Sequence, residues 1–358
     1  DITRDKIPQF SLDASYMVDD EIGYIKINRF SATTYTEFKK ALEGLVADGM
    51  TKLILDLTGN PGGYMDRAIK MADEFLASDP LIVFTKGKEY RYNQEHRASQ
   101  EGIFETGGLI VLIDQGSASA SEIVSGAIQD NDRGLIVGRR SFGKGLVQLP
   151  MELSDGSELR LTISRYYTPS GRSIQKSYED GKKDYYQDGF HERYKKGEMF
   201  SADSIALSDS LIYQTAKGRT VYGGGGIVPD YFIALDTTQN SIYLNRLFGS
   251  GTLREYALHY NELNREELEQ KGFEKFRKYF EVSDSLLKEM IALGEKNNLP
   301  FNEKEFIHSK ELIKIHVKAQ IARGIWRGEG FYPIYNETNE IFQQALKLFD
   351  EAEQLAAK

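Results

Sequence analysis

Residues 109–129 read LIVLIDQGSASASEIVSGAIQ. Leu109–Asp114 is an apolar run of strand length, the pattern of a strand buried on both faces. Gln115–Ser119 is a turn of small residues, and Ala120–Gln129 has helical spacing. A strand entering a helix through a short turn is half of a βαβ unit, which predicts a parallel sheet with crossover helices. The same grammar surrounds it. Gly23–Ile27 alternates as a half-buried strand, and Thr36–Val46 is a helix. Lys52–Leu57 (KLILDL) is a buried strand running into the turn Thr58–Gly63, and Tyr64–Ala77 is a helix. Leu135–Gly138 adds a strand. Gly145–Leu153, a turn at Asp155-Gly156 and Leu159–Tyr167 read as a hairpin. Residues 177–215, polar and tyrosine-rich, read as a lid-like excursion, and Gly223–Gly226 as a flexible turn or a place of close backbone approach.

The text changes after that. Of the 33 glycines, 26 lie at or before Gly226. From Leu253 onward, Glu, Lys, Leu and Phe recur at helical spacing, interrupted at Phe331–Asn336 and resuming over Glu337–Ala357. The fold class is therefore α/β with an all-helical C-terminal domain. Its expected boundaries are 1–20 linker, 21–238 core and 239–358 helical domain. A length of 358 residues suits about two domains. A formal charge of -9 argues against a general nucleic-acid binder, which needs a basic face. With no cysteine, thiolate metal sites, disulfides and Cys nucleophiles are all excluded. No apolar run reaches the ~18 residues of a membrane helix.

Two stretches carry chemistry. Ser117–Glu122 sits in the strand-to-helix turn, at the carboxyl end of the sheet where ligands bind. A serine there can attack a carbonyl whose oxyanion is held by backbone N–H groups. Ser119 and Glu122 also have the spacing of a capping box, so a plain helix cap stays open. The second stretch is Gly138–Gly145 (GRRSFGKG). It nearly spells a P-loop, a nucleotide-hydrolase reading, but Gly145 replaces the Ser or Thr and the next residues read as a strand. Ser141 and Lys144 also spell S-x-x-K, which normally sits on a helical turn. His96, His191, His259, His308 and His316 are scattered, and no compact metal-ligand spacing appears. A serine nucleophile here needs a base other than His, and lysine is the natural candidate.

Together, Ser117-Ala118-Ser119-Ala120-Ser121-Glu122-Ile123 and Ser141-Phe142-Gly143-Lys144-Gly145 with Gln148 resemble the signature of the C-terminal processing peptidases, or tail-specific proteases. Further blocks agree in order: Gly23-Tyr24-Ile25, Asp56-Leu57 with Asn60-Pro61-Gly62-Gly63, Tyr167–Arg172 and Gly226–Asp230. The likeness covers roughly residues 15 to 235. It implies a crotonase/Clp-protease-like peptidase core. It makes Ser119 the nucleophile, Lys144 the general base and Gln148 the residue orienting the amine. The oxyanion hole would be the N–H of Ala120 with one from Gly62-Gly63. No metal, cofactor or nucleotide is called for.

The implied substrates are extended protein C-terminal segments. The resemblance further implies oligomers and a periplasmic place in the bacterial cell envelope. Asp1–Pro8 resembles the segment that follows a PDZ domain in the family, so that domain is expected to be missing. The rival reading is a non-catalytic tail-binding or scaffolding module on the same fold.

Overall fold

The computed structural model of the chain describes residues 10–176 and 188–357. Residues 1–9 of the expected linker and 177–187 of the expected excursion lie outside the described residues. The chain divides into two compact units. One holds the described residues up to Ala234 together with those from Gln344 on, and the other is Leu235–Gln343.

The first unit is built on a six-stranded sheet. Its strands are β1 (Leu12–Met17), β2 (Ile22–Ile27), β3 (Lys52–Asp56), β6 (Gly108–Ile113), β7 (Leu135–Gly138) and β12 (Tyr231–Phe232), in that spatial order. All neighbours are parallel except β1, which runs antiparallel to β2. The fully buried run of β6 explains its uninterrupted apolar text. Helix α1 (Thr34–Ala47), α2 (Met65–Asp73) and α3 (Ala120–Asp130) are the crossovers, and every residue of α3 is buried. A second, antiparallel sheet has the order β5 (Gln94–Arg97), β4 (Leu81–Gly87), β9 (Glu158–Tyr167), β8 (Leu146–Glu152). A small ribbon pairs β10 (Ile212–Gln214) with β11 (Thr220–Tyr222). Helix α4 (Asp188–Lys195) lies in the stretch expected as an excursion.

Three expectations are corrected. Residues 12–17, expected within a linker, pair with β2 as the sheet's edge strand. An edge strand carries only half a ladder and shows little alternation, so its text is weak. The last helix, α10 (Phe349–Ala357), belongs to the first unit rather than to the helical one. Phe349 and Ala352 are buried. A Cβ at Gly108 of β6 would lie 2.9 Å from the Phe349 ring. Tyr231 bonds Glu351, and the Lys217 ammonium reaches the Leu355 carbonyl at 2.6 Å.

The second unit packs α5 (Ile242–Gly249), α6 (Thr252–Lys271), α7 (Phe273–Tyr279), α8 (Asp284–Lys296) and α9 (Glu303–Tyr335) around Leu247, Phe276, Met290, Ile313 and Ile321. The expected break at Phe331–Asn336 is not there. Helix α9 breaks instead at Arg327, with φ 56° and ψ −139°, and Pro333 falls in the second turn after that break. Among the described residues no helix is long and apolar enough to cross a membrane.

Candidate active site

Three serines crowd the turn between β6 and α3, and the fold spends two of them on structure. The buried Ser117 hydroxyl donates to the Leu57 carbonyl at 2.8 Å, and the buried Ser121 hydroxyl to that of Asn60 at 3.0 Å. Ser119 stands between them at the head of α3, with φ 55° and ψ −111°. A non-glycine residue held there is strained, and such strain gathers at functional turns.

A cleft of 540 Å³ opens beside Ser119 and is lined by Gly62, Gly63, Lys144, Gln148 and Tyr166 among others. Five of the six sequence-predicted residues thus meet at one cavity. The sixth, Ala120, is fully buried, with its backbone nitrogen next to Gly62. Lys144 is half-buried in the loop before β8, and Gln148 is exposed on β8. Among the described residues no ion pair engages the Lys144 ammonium, and no hydrogen bond links it to the Ser119 hydroxyl or to Gln148.

The glycine turn is shaped by close approach. Gly62 has φ +90°, and a Cβ there would lie 2.5 Å from the Ala118 carbonyl and 2.8 Å from the Ala120 nitrogen. Its N–H donates to Asn60 Oδ1 at 2.8 Å. Of the two glycines expected to supply an N–H, Gly62 is therefore the one already engaged. Gly63 differs. Its bridge to Phe30 uses the carbonyl of Gly62 and the N–H of Tyr64, so its own N–H points to the opposite side. The Ala120 N–H, first in the helix, has no intrahelical acceptor.

Two residues outside the expected catalytic set hold the site together. The Glu122 carboxylate is fully buried and takes four donors. Ser119 N (2.7 Å) and Lys144 N (2.9 Å) reach Oε2. Ser141 Oγ (2.5 Å) and Gly143 N (2.7 Å) reach Oε1. Burial pushes this carboxyl up from its ordinary value, and the four donors pull it back. Tyr166, on β9, donates its hydroxyl to the Lys144 carbonyl at 2.5 Å, and it lies 3.0 Å from that of Ser119. The capping half of the Ser119–Glu122 pair is therefore real, but the same carboxylate also anchors residues 141–144. The only sequence signal for it was the acid at the third helical position.

The rival motifs fare differently. The N–H groups of Gly143 and Lys144, which a phosphate would need, are occupied by Glu122. Ser141 is buried, donating to Glu122 and accepting from Ile227 N at 2.6 Å. Neither a P-loop nor a nucleophilic Ser141 fits. The downstream block serves α3: Arg172 pairs with Asp130 at 2.7 Å, both fully buried.

Comparison with known proteins agrees with this frame. Residues 21–183 match the model of Peptidase family S41, and residues 243–328 match a family of unknown function (DUF8443). The Carboxy-terminal-processing protease of Bartonella bacilliformis is 42% identical over 164 residues, 45% of this chain and 38% of that protein. The Carboxyl-terminal-processing protease of a Picosynechococcus species is 38% identical over 180 residues, 49% of this chain and 42% of that protein. The chain thus spans less than half the length of these relatives. A solved photosystem II D1 C-terminal processing protease is 31% identical, covering 48% of this chain and 47% of its own, with a TM-score of 0.42.

Proposed function

We propose that the chain, whose residues 21–183 match the model of Peptidase family S41, is a serine endopeptidase acting on polypeptides near their carboxyl ends through Ser119 and Lys144. The observation that carries this reading is the single cleft. It is lined by a strained Ser119 and by a lysine that, among the described residues, no carboxylate engages, with the Gly63 N–H, which has no acceptor among them, at its wall.

The reaction runs in two halves. The Lys144 amine takes the Ser119 proton as Oγ attacks the substrate carbonyl. The N–H groups of Ala120 and Gly63 hold the oxyanion. Lys144 returns the proton to the departing amine as the C–N bond breaks, leaving an ester on Ser119. Lys144 then takes a proton from water as it attacks that ester and returns it to Ser119 Oγ as the ester bond breaks, freeing the new carboxyl end. Gln148, on the wall of the same cleft, orients the lysine amine. Glu122 and Tyr166 fix the spacing between the serine turn and the lysine loop. On the same reading the enzyme works in the bacterial cell envelope.

Incubation of a tail-bearing protein with the wild type, Ser119→Ala and Lys144→Ala tests the scheme by mass spectrometry. Loss of the general base is expected to cost about 10²–10⁴-fold in rate. A fluorophosphonate should label Ser119 of the wild type. Equal cleavage by Ser119→Ala and wild type removes Ser119 from the mechanism. Absence of any Ser119 adduct favours a binding module without turnover.

A further inference from the structure

A second groove continues from the cleft across the antiparallel sheet. It encloses 690 Å³ and is lined by Lys86, Lys88, Arg160 and Arg165, with no carboxylate among its lining residues. Leu146, Gln148 and Arg160 line both this groove and the cleft holding Ser119 and Lys144, so the two are continuous. Resting on the peptidase reading, we propose that this groove binds a carboxylate of the substrate, from an acidic side chain or from the free chain end.

The register places the charges. Lys86 of β4 lies directly opposite Arg165 of β9, and Arg165 lies opposite Leu146 of β8. Directly opposed residues share a face, so two cations point out of the sheet side by side on the groove side. Like charges in that relation repel, and a fold usually offsets them with an acid. Among the described residues Arg160 has such a partner, Glu158 at 2.8 Å, whereas Lys86, Lys88 and Arg165 have none.

Lys86 is instead held on an aromatic platform. Phe84 and Tyr167 stack at 5.1 Å, and the ammonium sits 5.2 Å and 5.6 Å from their ring centres. A cation seated this way keeps its outer donors for a ligand. The basic groove is all the more selective on a chain whose formal charge is -9. From strand spacings, Lys86 lies about 12 Å from the Lys144 position, three to four residues of extended peptide. The carboxylate so read lies a few residues from the scissile bond.

The test uses internally quenched peptides with one small-apolar cleavage segment, followed by Glu-Glu, Gln-Gln or Lys-Lys. Each is made with a free or an amidated end. The wild type is expected to favour the carboxylate-bearing peptides about tenfold in kcat/KM, as two or three exposed charge contacts would give. That advantage should shrink at high salt. Lys86→Gln/Arg165→Gln should abolish the preference, and Lys86→Glu/Arg165→Glu should turn it toward Lys-Lys. An advantage following the glutamates assigns the groove to side chains, and one following the free end assigns it to the chain terminus. Equal preference in wild type and both variants, or none in the wild type, overturns the proposal.

Fluorophosphonate labelling of Ser119 should proceed equally in all these forms, since none of the changes touches the cleft's reacting groups. Should no peptide be cleaved and Ser119 stay unlabelled, the peptidase reading fails by itself. Fluorescence anisotropy of the Glu-Glu and Gln-Gln peptides on Ser119→Ala then decides the carboxylate proposal separately. Equal binding of free-end Glu-Glu, free-end Gln-Gln and amidated Gln-Gln peptides rejects it, and preferential binding of the carboxylate-bearing peptides sustains it.

Discussion

Replacing Glu122 with Gln keeps the shape of the side chain and removes one acceptor oxygen from a fully enclosed position. The carboxylate there serves Ser119 N, Lys144 N, Gly143 N and the Ser141 hydroxyl. A carboxamide keeps two of these donors on its oxygen and turns its own N–H groups toward the other two. The least costly arrangement faces the amide nitrogen toward Ser141, whose oxygen can accept from it beside Ile227 N, while the Ser141 O–H and the Gly143 N–H lose the acceptor that Glu122 gave them. One orphaned buried donor costs about 1–3 kcal/mol. The remaining bonds lose their charge assistance, roughly another 1–2 kcal/mol. Relief of a buried charge returns part of this, so we expect about 2–4 kcal/mol in all. For a unit of this size that lowers Tm by roughly 5–15 °C. Scanning calorimetry should show the loss in the transition of the first unit, with that of Leu235–Gln343 unmoved. Fluorophosphonate labelling of Ser119 should slow in step, because the turn and the lysine loop lose their common anchor. A variant melting within a degree of wild type and labelling at the same rate would refute the anchoring argument.

Gly62→Ala should destabilise the first unit by about 2 kcal/mol or more and silence hydrolysis, since a Cβ at φ +90° meets the Ala118 carbonyl at 2.5 Å. Urea denaturation alongside peptide cleavage measures both. Arg172→Ala leaves the buried Asp130 carboxylate unpaired and should cost about 3–5 kcal/mol by the same denaturation. In the second unit, burial pushes His316 down to about 4. The unfolded chain therefore binds a proton that the folded unit refuses, and stability present above pH 6.5 falls as pH drops toward 4, by about 3 kcal/mol. His316→Phe, packed between Phe248 and Tyr335, should flatten that part of the pH–stability curve.

How much of this could be read from the text depends on whether the relevant physics is local. The β6–turn–α3 unit was legible because a buried parallel strand and a capped helix write their periods directly into residues 109–129. Ser119, Lys144 and Gln148 were legible as separate blocks of a signature, and the cleft gathers them. Glu122 was read as a helix-cap acid, which is true and incomplete. Its reach to residues 141–144 is a tertiary contact that leaves no periodic trace. Tyr166 looked like any β-strand aromatic, and only the meeting of β9 with the serine turn gives its hydroxyl a task. Gly62 and Gly63 were both suited to close approach. Which N–H remains unspent depends on the Asn60 side chain, not on either glycine. The break of α9 was misplaced because Pro333 is a strong local signal, whereas Arg327 carries none.

The return of α10 to the first unit bears on how the protein is made. Leu235–Gln343 is one continuous stretch, so it can fold as soon as it leaves the ribosome. The first unit is begun earlier but finished later, since the helix that covers Gly108 of β6 is translated after the whole of its neighbour. Vectorial synthesis thus completes the units in the reverse of the order in which they start. The nascent chain carries an unsealed sheet until α10 arrives.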